Sequence, residues 1–471
     1  MHGPPPLLTP ERRVLPTLND DGTRRWITPK HARGRFNTLR TVVGWALIGT
    51  FVAIPFLRMN GRPLVWLDLP SRRFTLFGSV FLPTDTEVLL LGMLAIFVGI
   101  FLLTAVLGRV WCGYGCPQTV YMEFVYRPVE RFFSRLSKGY EKTWRRPAAL
   151  VGKYLVFLLL SMGLAHTFLA YFVSVDALAQ WVRMSPFEHP VPFIVMAVTT
   201  GLVMFDFAFF REQMCTVVCP YARLQAVLLD KHSLIIGYDA KRGEPRGKAA
   251  VGEIKRHLPL VDRSFGDCID CGACVTACPT GIDIREGLQL ECIACAQCVD
   301  ACDSIMRKVG APEGLIRYSS QATLEEGEKP KLLRARTAIY PALLVILVGL
   351  LVFVVAGRES AEVKVLRGVG APFTEQADGT VTNQIRVRIA NRSEETTAYS
   401  LRVVGPEGVT LVAPMNPVTV APDAVESAPA FLQAPRAAFA QGDVKVEIVV
   451  EAPDGWSTTL PFKLLGPGGL R

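Results

Sequence analysis

"CIDCGACVTACPTGIDIREGLQLECIACAQCVDACD", residues 268–303, carries eight of the chain's twelve cysteines. The step C-x-x-C-x-x-C-x-x-x-C occurs in it twice, the second copy 24 residues after the first. This is the two-cluster bacterial ferredoxin spacing, in which the fourth cysteine of each run ligates the other run's cluster. The reading assigns Cys268, Cys271, Cys274 and Cys302 to one [4Fe–4S] cluster and Cys292, Cys295, Cys298 and Cys278 to a second. Short spacers let one loop deliver three soft thiolates, the ligand type such a cube requires. Zinc takes four ligands in C-x-x-C pairs and has no use for an eight-cysteine duplication. Gly272 and Ala294 are small, as befits backbone that wraps closely around a cluster. Pro279 follows Cys278 as the pattern asks, but Asp303 follows Cys302, which sets a negative charge beside the first cluster. Clusters of this type move single electrons, so the segment reads as a relay.

Outward from this segment the chain becomes membrane-like. Of 471 residues, 50% are hydrophobic and only 20% are charged, and the mean hydropathy is +0.30, a combination rare in soluble domains. Five stretches approach the ~20 apolar residues a bilayer crossing needs: 41–57, 86–107, 150–173, 191–210 and 338–356. "FTLFGSVFLP" (74–83) is too short to span and reads as interfacial. Lys and Arg number eight in 1–40, eight in 108–149 and eighteen in 211–336, against four in 58–85 and one in 174–190. The positive-inside rule then makes the three basic segments cytoplasmic and the tail external. The division that follows is a cytoplasmic segment 1–40, helices one to four in 41–230, a ferredoxin-type segment 231–336, a fifth helix 337–357 and a periplasmic domain 358–471.

The remaining four cysteines form two pairs, in "RVWCGYGCPQ" (109–118) and "EQMCTVVCPY" (212–221), each at the cytoplasmic end of an apolar run. On a helix, Cys112 and Cys116 would share one face, as would Cys215 and Cys219. Pro117 and Pro220 suit the first turn of a new helix. The sequels "TVYMEFVYRPVERFF" (119–133) and "ARLQAVLLDKHSLII" (222–236) look amphipathic, fit to lie along the inner surface. Inert packing, a redox dithiol and soft-metal ligation all compete here, and repetition with proline favours metal: Cu(I), zinc or iron–sulfur. If the helix ends meet, four thiolates surround one site. Asp206 and His166 lie inside apolar runs, where ionisable groups draw attention, and Met204 and Met214 offer thioethers.

The tail, 358–471, holds short β-branched runs such as "VTNQIRVRIANRS" and "DVKVEIVVEAPDG" between turn residues, the pattern of an immunoglobulin-like all-β sandwich. It contains no cysteine. The sequon at Asn391 carries no weight. The fold class is therefore a multi-domain membrane protein: a transmembrane helical bundle, a two-cluster ferredoxin-like insert and a C-terminal β-sandwich. Clustered cysteines in C-x-x-C steps point to metal in a reducing compartment rather than disulfides. The opening "MHGPPPLLTPERRVLP" lacks the apolar core of a signal peptide. The net charge of +9 comes with no nucleic-acid-binding pattern, so no nucleic acid is expected. No Rossmann fingerprint follows a strand, so a nicotinamide or flavin would have to sit on a separate electron donor.

Two C-x-x-x-C-P pairs, a two-cluster segment and a β-sandwich tail together resemble the FixG (CcoG) family of cytochrome oxidase accessory proteins, over nearly the whole chain. The resemblance implies a bacterial inner-membrane polyferredoxin that serves assembly of cbb-type cytochrome c oxidase by reducing Cu(II) to Cu(I). Cys112, Cys116, Cys215 and Cys219 would then bind or reduce copper, and the partners would be oxidase assembly factors and copper transport or chaperone proteins. A related membrane ferredoxin of periplasmic nitrate reductase systems shares the paired motifs and passes quinol electrons, but is not expected to carry the sandwich. A non-redox copper-binding scaffold is the third possibility.

Overall fold

A computed structural model describes residues 17–467, apart from 20–22, 60, 70–72, 83–84, 138–144, 257–258, 260–262, 330, 332–333 and 394. The proline-rich opening 1–16 and Pro83 therefore lie outside the described residues. The chain divides into two compact units, one of residues 1–68 and 89–350, the other of 69–88 and 351–471. Among the described residues, five helices are long and apolar enough to cross a membrane: Arg35–Phe56, Thr86–Leu107, Pro147–Val173, Pro190–Phe210 and Ala335–Ala356. The first begins earlier than the apolar run that signals it. Its Val42, Trp45 and Val52 side chains are exposed, the surface of a helix meant for lipid rather than for a protein core. Pro341 sits inside the last helix, a position spanning helices tolerate.

In the first unit the helices Arg145–Val173 and Pro190–Phe205 pack side by side. Their shared core takes in one face of the stretch 119–133, through Met122, Tyr126 and Val129, while Phe132 is exposed. Tyr126 is 1% exposed, stacks on Phe207 at 4.4 Å between centroids and meets Phe157 edge-on at 5.0 Å. Its hydroxyl pairs with the Ser161 Oγ at 2.9 Å, the partner a buried phenol requires. The companion stretch 222–236 departs from expectation. Its helix ends at Leu228, and the chain turns into the strand Ile235–Tyr238, antiparallel to Ile316–Ser319. Ile235 and Ile236 are buried, and Ile236 joins the core of the cysteine-rich segment with Ile282, Ile284, Val299 and Met306.

That segment repeats its backbone as well as its sequence. Asp270 (φ 50°) and Gly272 (φ 64°) in the first run match Ala294 (φ 52°) and Ala296 (φ 58°) in the second, all left-handed. Gly272 and Ala296 each start a helix, Ala273–Ala277 and Gln297–Val309. Gly takes such a φ freely whereas Ala does so at a cost, so the second copy is held by its surroundings. The helix Gln297–Val309 also closes the start of the first spanning helix. The Asp300 carboxylate accepts the Phe36 and Asn37 amides at 3.3 and 2.7 Å, the interaction that satisfies orphan N–H groups at a helix N-terminus.

The second unit is a sandwich of two antiparallel sheets. One runs Thr410–Val412, Val425–Pro435, Thr380–Asn391, Ala361–Arg367, with Thr374–Glu375 also on the central strand. The other runs Val418–Val420, Thr397–Val404, Asp443–Glu451, Ser457–Leu465. Alternate residues face inward: Ile385, Val387 and Ile389 on one strand, Val446, Ile448 and Val450 on another. Large residues face small ones across the ladder, Ile385 opposite Ala430 and Val387 opposite Ala428. The buried Asn383 amide donates to the Leu465 carbonyl and accepts its N–H, both at 2.8 Å, tying one sheet to the other. Asn391 is fully buried and donates to the Val420 carbonyl at 3.0 Å, which takes the sequon out of play. Across the 74–83 stretch, Arg73–Leu76 and Ser79–Phe81 pair as a β-hairpin, Phe74 opposite Phe81. Phe77 and Gly78 both have positive φ at its tip, as a tight two-residue hairpin turn demands.

Candidate iron–sulfur and membrane thiol site

All twelve cysteines are free thiols in the first unit. Cys274, Cys278, Cys292, Cys295 and Cys298 line one apolar cavity with Ile236, Ile282, Ile284 and Ile293. Cys278 thus stands with the second run, as crossed ligation requires. The other crossing appears in the electrostatics of Cys302. Burial pushes its thiol up to about 12, and Cys274, Asp303, Cys271 and Cys268 push the same way. Cys292 is likewise raised to about 12, first by burial. Buried, mutually repelling thiols in an apolar pocket are poorly suited to exist as free anions, and suited to ligate a cationic core that replaces their protons. The residues present fit two [4Fe–4S] clusters in the crossed arrangement. Asp303 does more than stand by: its Oδ1 accepts the Gly314 amide at 2.9 Å, fixing the loop after Cys302.

The two C-x-x-x-C turns have one design. Cys112 lies in the short helix Val110–Tyr114 and Cys215 in the π-turn Met214–Val218, while Cys116 and Cys219 are extended N-cap residues before Pro117 and Pro220. The prolines start new helices as expected. The cysteines of a pair do not share a helix face, because the chain breaks at the second one. The turns come together. The Cys112 thiol donates to Gln225 Oε1 at 3.0 Å, and Gln225 Nε2 donates to the Tyr221 hydroxyl at 2.6 Å. On the other side Gln118 Nε2 donates to the Arg211 carbonyl at 3.0 Å and to Asp206 at 3.1 Å. Burial pushes Cys215 up to about 12, with Cys116, Cys112 and Cys219 adding to it. Cys112 rises to about 11 through burial, opposed by the Arg109 guanidinium.

The membrane turn and the cluster loop touch. Cys112 packs with Ile293, Cys295 and Tyr221. A Cβ on Gly113 would lie 2.7 Å from the Ile293 carbonyl and 2.8 Å from Cys295 Cα, so only glycine permits the approach. Around this contact stand buried guanidinium groups that spacing did not single out. Arg40 is 1% exposed. Its Nε donates to the Gly113 carbonyl at 2.9 Å while Nη1 and Nη2 have no hydrogen-bond partner, and its charge draws the Cys295 thiol downward against burial. Arg109 is 5% exposed, donates to the Leu290 carbonyl, and acts on Cys112, Cys215 and Cys292 together. Arg127 Nη2 donates to the Pro279 carbonyl at 3.1 Å, holding the Cys278 turn. Arg211, itself at φ 57°, makes a bidentate pair with Glu130 at 2.9 and 3.0 Å.

His166 bonds within its own helix, Nδ1 to the Met162 carbonyl at 2.7 Å, not across helices. It lines a separate open cavity with Val175, Leu178 and Arg183. Met204 and Met214 are half-buried. Arg109 was visible in the sequence, three residues before Cys112. Arg40 carried no signal beyond a cation at the edge of an apolar run.

Comparison with known proteins agrees with this architecture. Residues 89–138 match a 4Fe-4S binding domain, 210–321 a 4Fe-4S dicluster domain, and 351–467 the Ig-like fold at the C-terminus of FixG. Protein RdxB of Cereibacter sphaeroides is 33% identical over 84% of this chain and 86% of its own. Nitrogen fixation protein FixG of Rhizobium meliloti is 32% identical over 91% of this chain and 90% of its own. Protein RdxA of Cereibacter sphaeroides is 32% identical over 81% and 83%. Apolar helices around a two-cluster thiol segment define a membrane-associated 4Fe-4S electron-transfer protein. The chain belongs to the FixG family.

Proposed function

We propose that this protein works in the bacterial cytoplasmic membrane, where it reduces Cu(II) to Cu(I) for assembly of a cbb-type cytochrome c oxidase. Cys268, Cys271, Cys274 and Cys302 would hold one [4Fe–4S] cluster and Cys292, Cys295, Cys298 and Cys278 the other, supplying one-electron storage when bound. The observation that carries the reading is the Gly113–Cys295 contact. It sets the Cys112 turn against the cluster loop, so that Cys112, Cys116, Cys215 and Cys219 would form the terminal nearest the membrane. There one electron and Cu(II) give Cu(I), the state that soft thiolate surroundings favour. The excess of Lys and Arg in 1–40, 108–149 and 211–336 supports a topology with the N-terminus and ferredoxin thiols in the cytoplasm and residues 358–471 in the periplasm. Oxidase assembly factors and copper chaperones are the fitting partners, and a separate protein supplies the electrons.

The test uses the full chain, purified anaerobically, reduced with dithionite and desalted, then mixed with Cu(II) and a chromogenic Cu(I) chelator. Cu(I) should form in proportion to the electrons stored. Formation no faster than in protein-free buffer refutes the proposal, and oxidation of an added quinol by the resting protein would favour quinol dehydrogenation instead. A periplasm-dependent reporter should be active fused after Arg471 and silent fused at Gly310. The reverse pattern overturns the topology.

A further inference from the structure

We infer that an acidic one-electron carrier protein docks on the basic surface beside Cys271 and delivers its electrons there. The inference deepens the proposed function, since it names the class of donor and the face that receives it. All twelve cysteines lie among the described residues, and Cys271 alone is exposed. The other thiols lead inward from it. Cys274, of the same run, lines the cavity of Cys278, Cys292, Cys295 and Cys298, and Cys295 packs with Cys112 of the membrane turn. Cys295 and Cys298 are buried. A donor too large to enter the protein therefore makes its closest approach at Cys271.

Charge on the adjoining surface says which donor fits. The Gly247 amide donates to the Cys268 carbonyl at 3.0 Å, and the Gly266 amide to the Pro245 carbonyl at 2.9 Å. These bonds lay the segment 241–256 along the first cysteine run. It holds Lys241, Arg242, Arg246, Lys248, Lys255 and Arg256, against Glu244 and Glu253. Two of the six cations serve the fold: Arg242 pairs with Asp267 at 2.5 Å, and Lys241 donates to the Glu325 carbonyl at 2.6 Å. The other four are exposed. Among the described residues, their one ion pair is the 3.9 Å approach of Arg246 to Glu244.

The carboxylates nearest Cys271 are already matched. Arg285 pairs with Asp270 and with Asp283, each at 2.6 Å. Asp283, which burial would raise, is held below the usual carboxylate range by Arg285 and also by Arg246, so Arg246 stands close to the Cys271 loop. Glu253 accepts the Ser264 and Phe265 amides at 3.3 and 3.1 Å, and Glu286 is exposed. Cations left over from structural pairing draw an anionic partner from solution and orient it before contact. Electron-transfer encounters bury little area, so such steering decides which carrier is productive. In the complex one electron leaves the donor's reduced centre and enters the group held by Cys268, Cys271, Cys274 and Cys302. No bond forms or breaks and no proton moves.

The experiment uses the full chain, purified anaerobically with its iron, and a plant-type [2Fe–2S] ferredoxin as the acidic probe. Calorimetry with oxidised ferredoxin should show binding that weakens about tenfold between roughly 50 and 300 mM salt. Arg246→Glu with Lys248→Glu should weaken it by roughly tenfold at low salt, with iron content unchanged. Carbodiimide, which joins an ammonium group to a carboxylate, should couple the probe to Lys248 or Lys255. Reduced ferredoxin should pass its electron to the full chain in stopped flow, more slowly as salt rises. Equal affinity of wild type and variant overturns the proposal, as does binding without transfer, or cytochrome c, a basic carrier, bound as tightly. If that variant loses iron, Lys255→Glu with Arg256→Glu decides by the same comparison. Salt-sensitive binding and transfer without Cu(II) reduction would refute the proposed function and leave this inference standing. Cu(II) reduction by dithionite-reduced protein that binds no ferredoxin would do the opposite.

Discussion

Replacing Arg40 by glutamine removes a positive charge from beside Cys295 while keeping a side chain that can still donate to the Gly113 carbonyl. Arg40 is 1% exposed and two of its guanidinium nitrogens have no hydrogen-bond partner, and the Glu123 carboxylate, which Arg40 draws downward, offsets its charge only through space. A cluster gains a negative charge on reduction, so the guanidinium stabilises the reduced form and its loss makes reduction harder. Taking a separation of roughly 8 Å and an effective dielectric constant of ~20, the interaction is ~2 kcal/mol. For a one-electron couple this corresponds to a midpoint potential more negative by ~90 mV. The assay is an EPR-monitored redox titration of the full chain, following the signal that Cys278→Ser abolishes. Arg40→Lys keeps the charge and should shift by only a fraction of that amount. If the glutamine and lysine variants both titrate with wild type, Arg40 does not set the potential, and its burial serves packing alone.

Cys278→Ser should cost about four irons and spare the cluster of Cys268, Cys271, Cys274 and Cys302, since its thiol lines the cavity of the second run; loss of the first-run signal instead would overturn the crossed assignment. Iron reconstitution of stripped protein should accelerate from pH 7 to pH 9. Cys292 and Cys302 are raised to about 12, so their thiolate fraction grows ~tenfold per pH unit throughout that window; a rate flat with pH would show that deprotonation does not limit loading. Asn383→Leu leaves both Leu465 backbone groups unpaired and should destabilise the sandwich by ~2–4 kcal/mol. Pulse proteolysis of the full chain should then clip the C-terminal unit earlier, and an unchanged cleavage midpoint would refute that role.

Local signals carried much of this fold, and long-range ones did not. Apolar run length located all five spanning helices, because bilayer thickness imposes itself residue by residue. Cysteine spacing assigns Cys278 to the second run's cluster, and the fold sets Cys278 around one cavity with Cys292, Cys295, Cys298 and Cys274, because short loops bring these thiols together. Of the two amphipathic stretches, one keeps its helix and the other breaks into a strand. The apolar face of 119–133 is real, but Phe157 and Phe207 cover it, and a pattern cannot say whether lipid or protein will do so. Likewise Ile235 and Ile236 entered a strand pair with residues about eighty positions away. The repeat of left-handed residues at Asp270 and Ala294 was hidden because neither is glycine. The approach of Gly113 to Cys295 joins segments far apart in sequence, and nothing near Gly113 announces it.

The Asp300 carboxylate has a consequence for how the chain is made. The first spanning helix leaves the ribosome early, yet the group that closes its N-terminus lies 264 residues downstream of Phe36. Asp300 also sits between Cys298 and Cys302, on the helix whose thiols are candidates for iron. The helix that anchors the nascent protein therefore stays open-ended until the cysteine-rich segment has been synthesised and folded. In a cell short of iron, the Phe36 and Asn37 amides should exchange with solvent and the segment ahead of them should be open to proteases, so that metal scarcity becomes a degradation signal at the opposite end of the polypeptide. Hydrogen exchange at those two amides, slow in loaded protein and fast in stripped protein, would read out the status of the iron site from the membrane entrance.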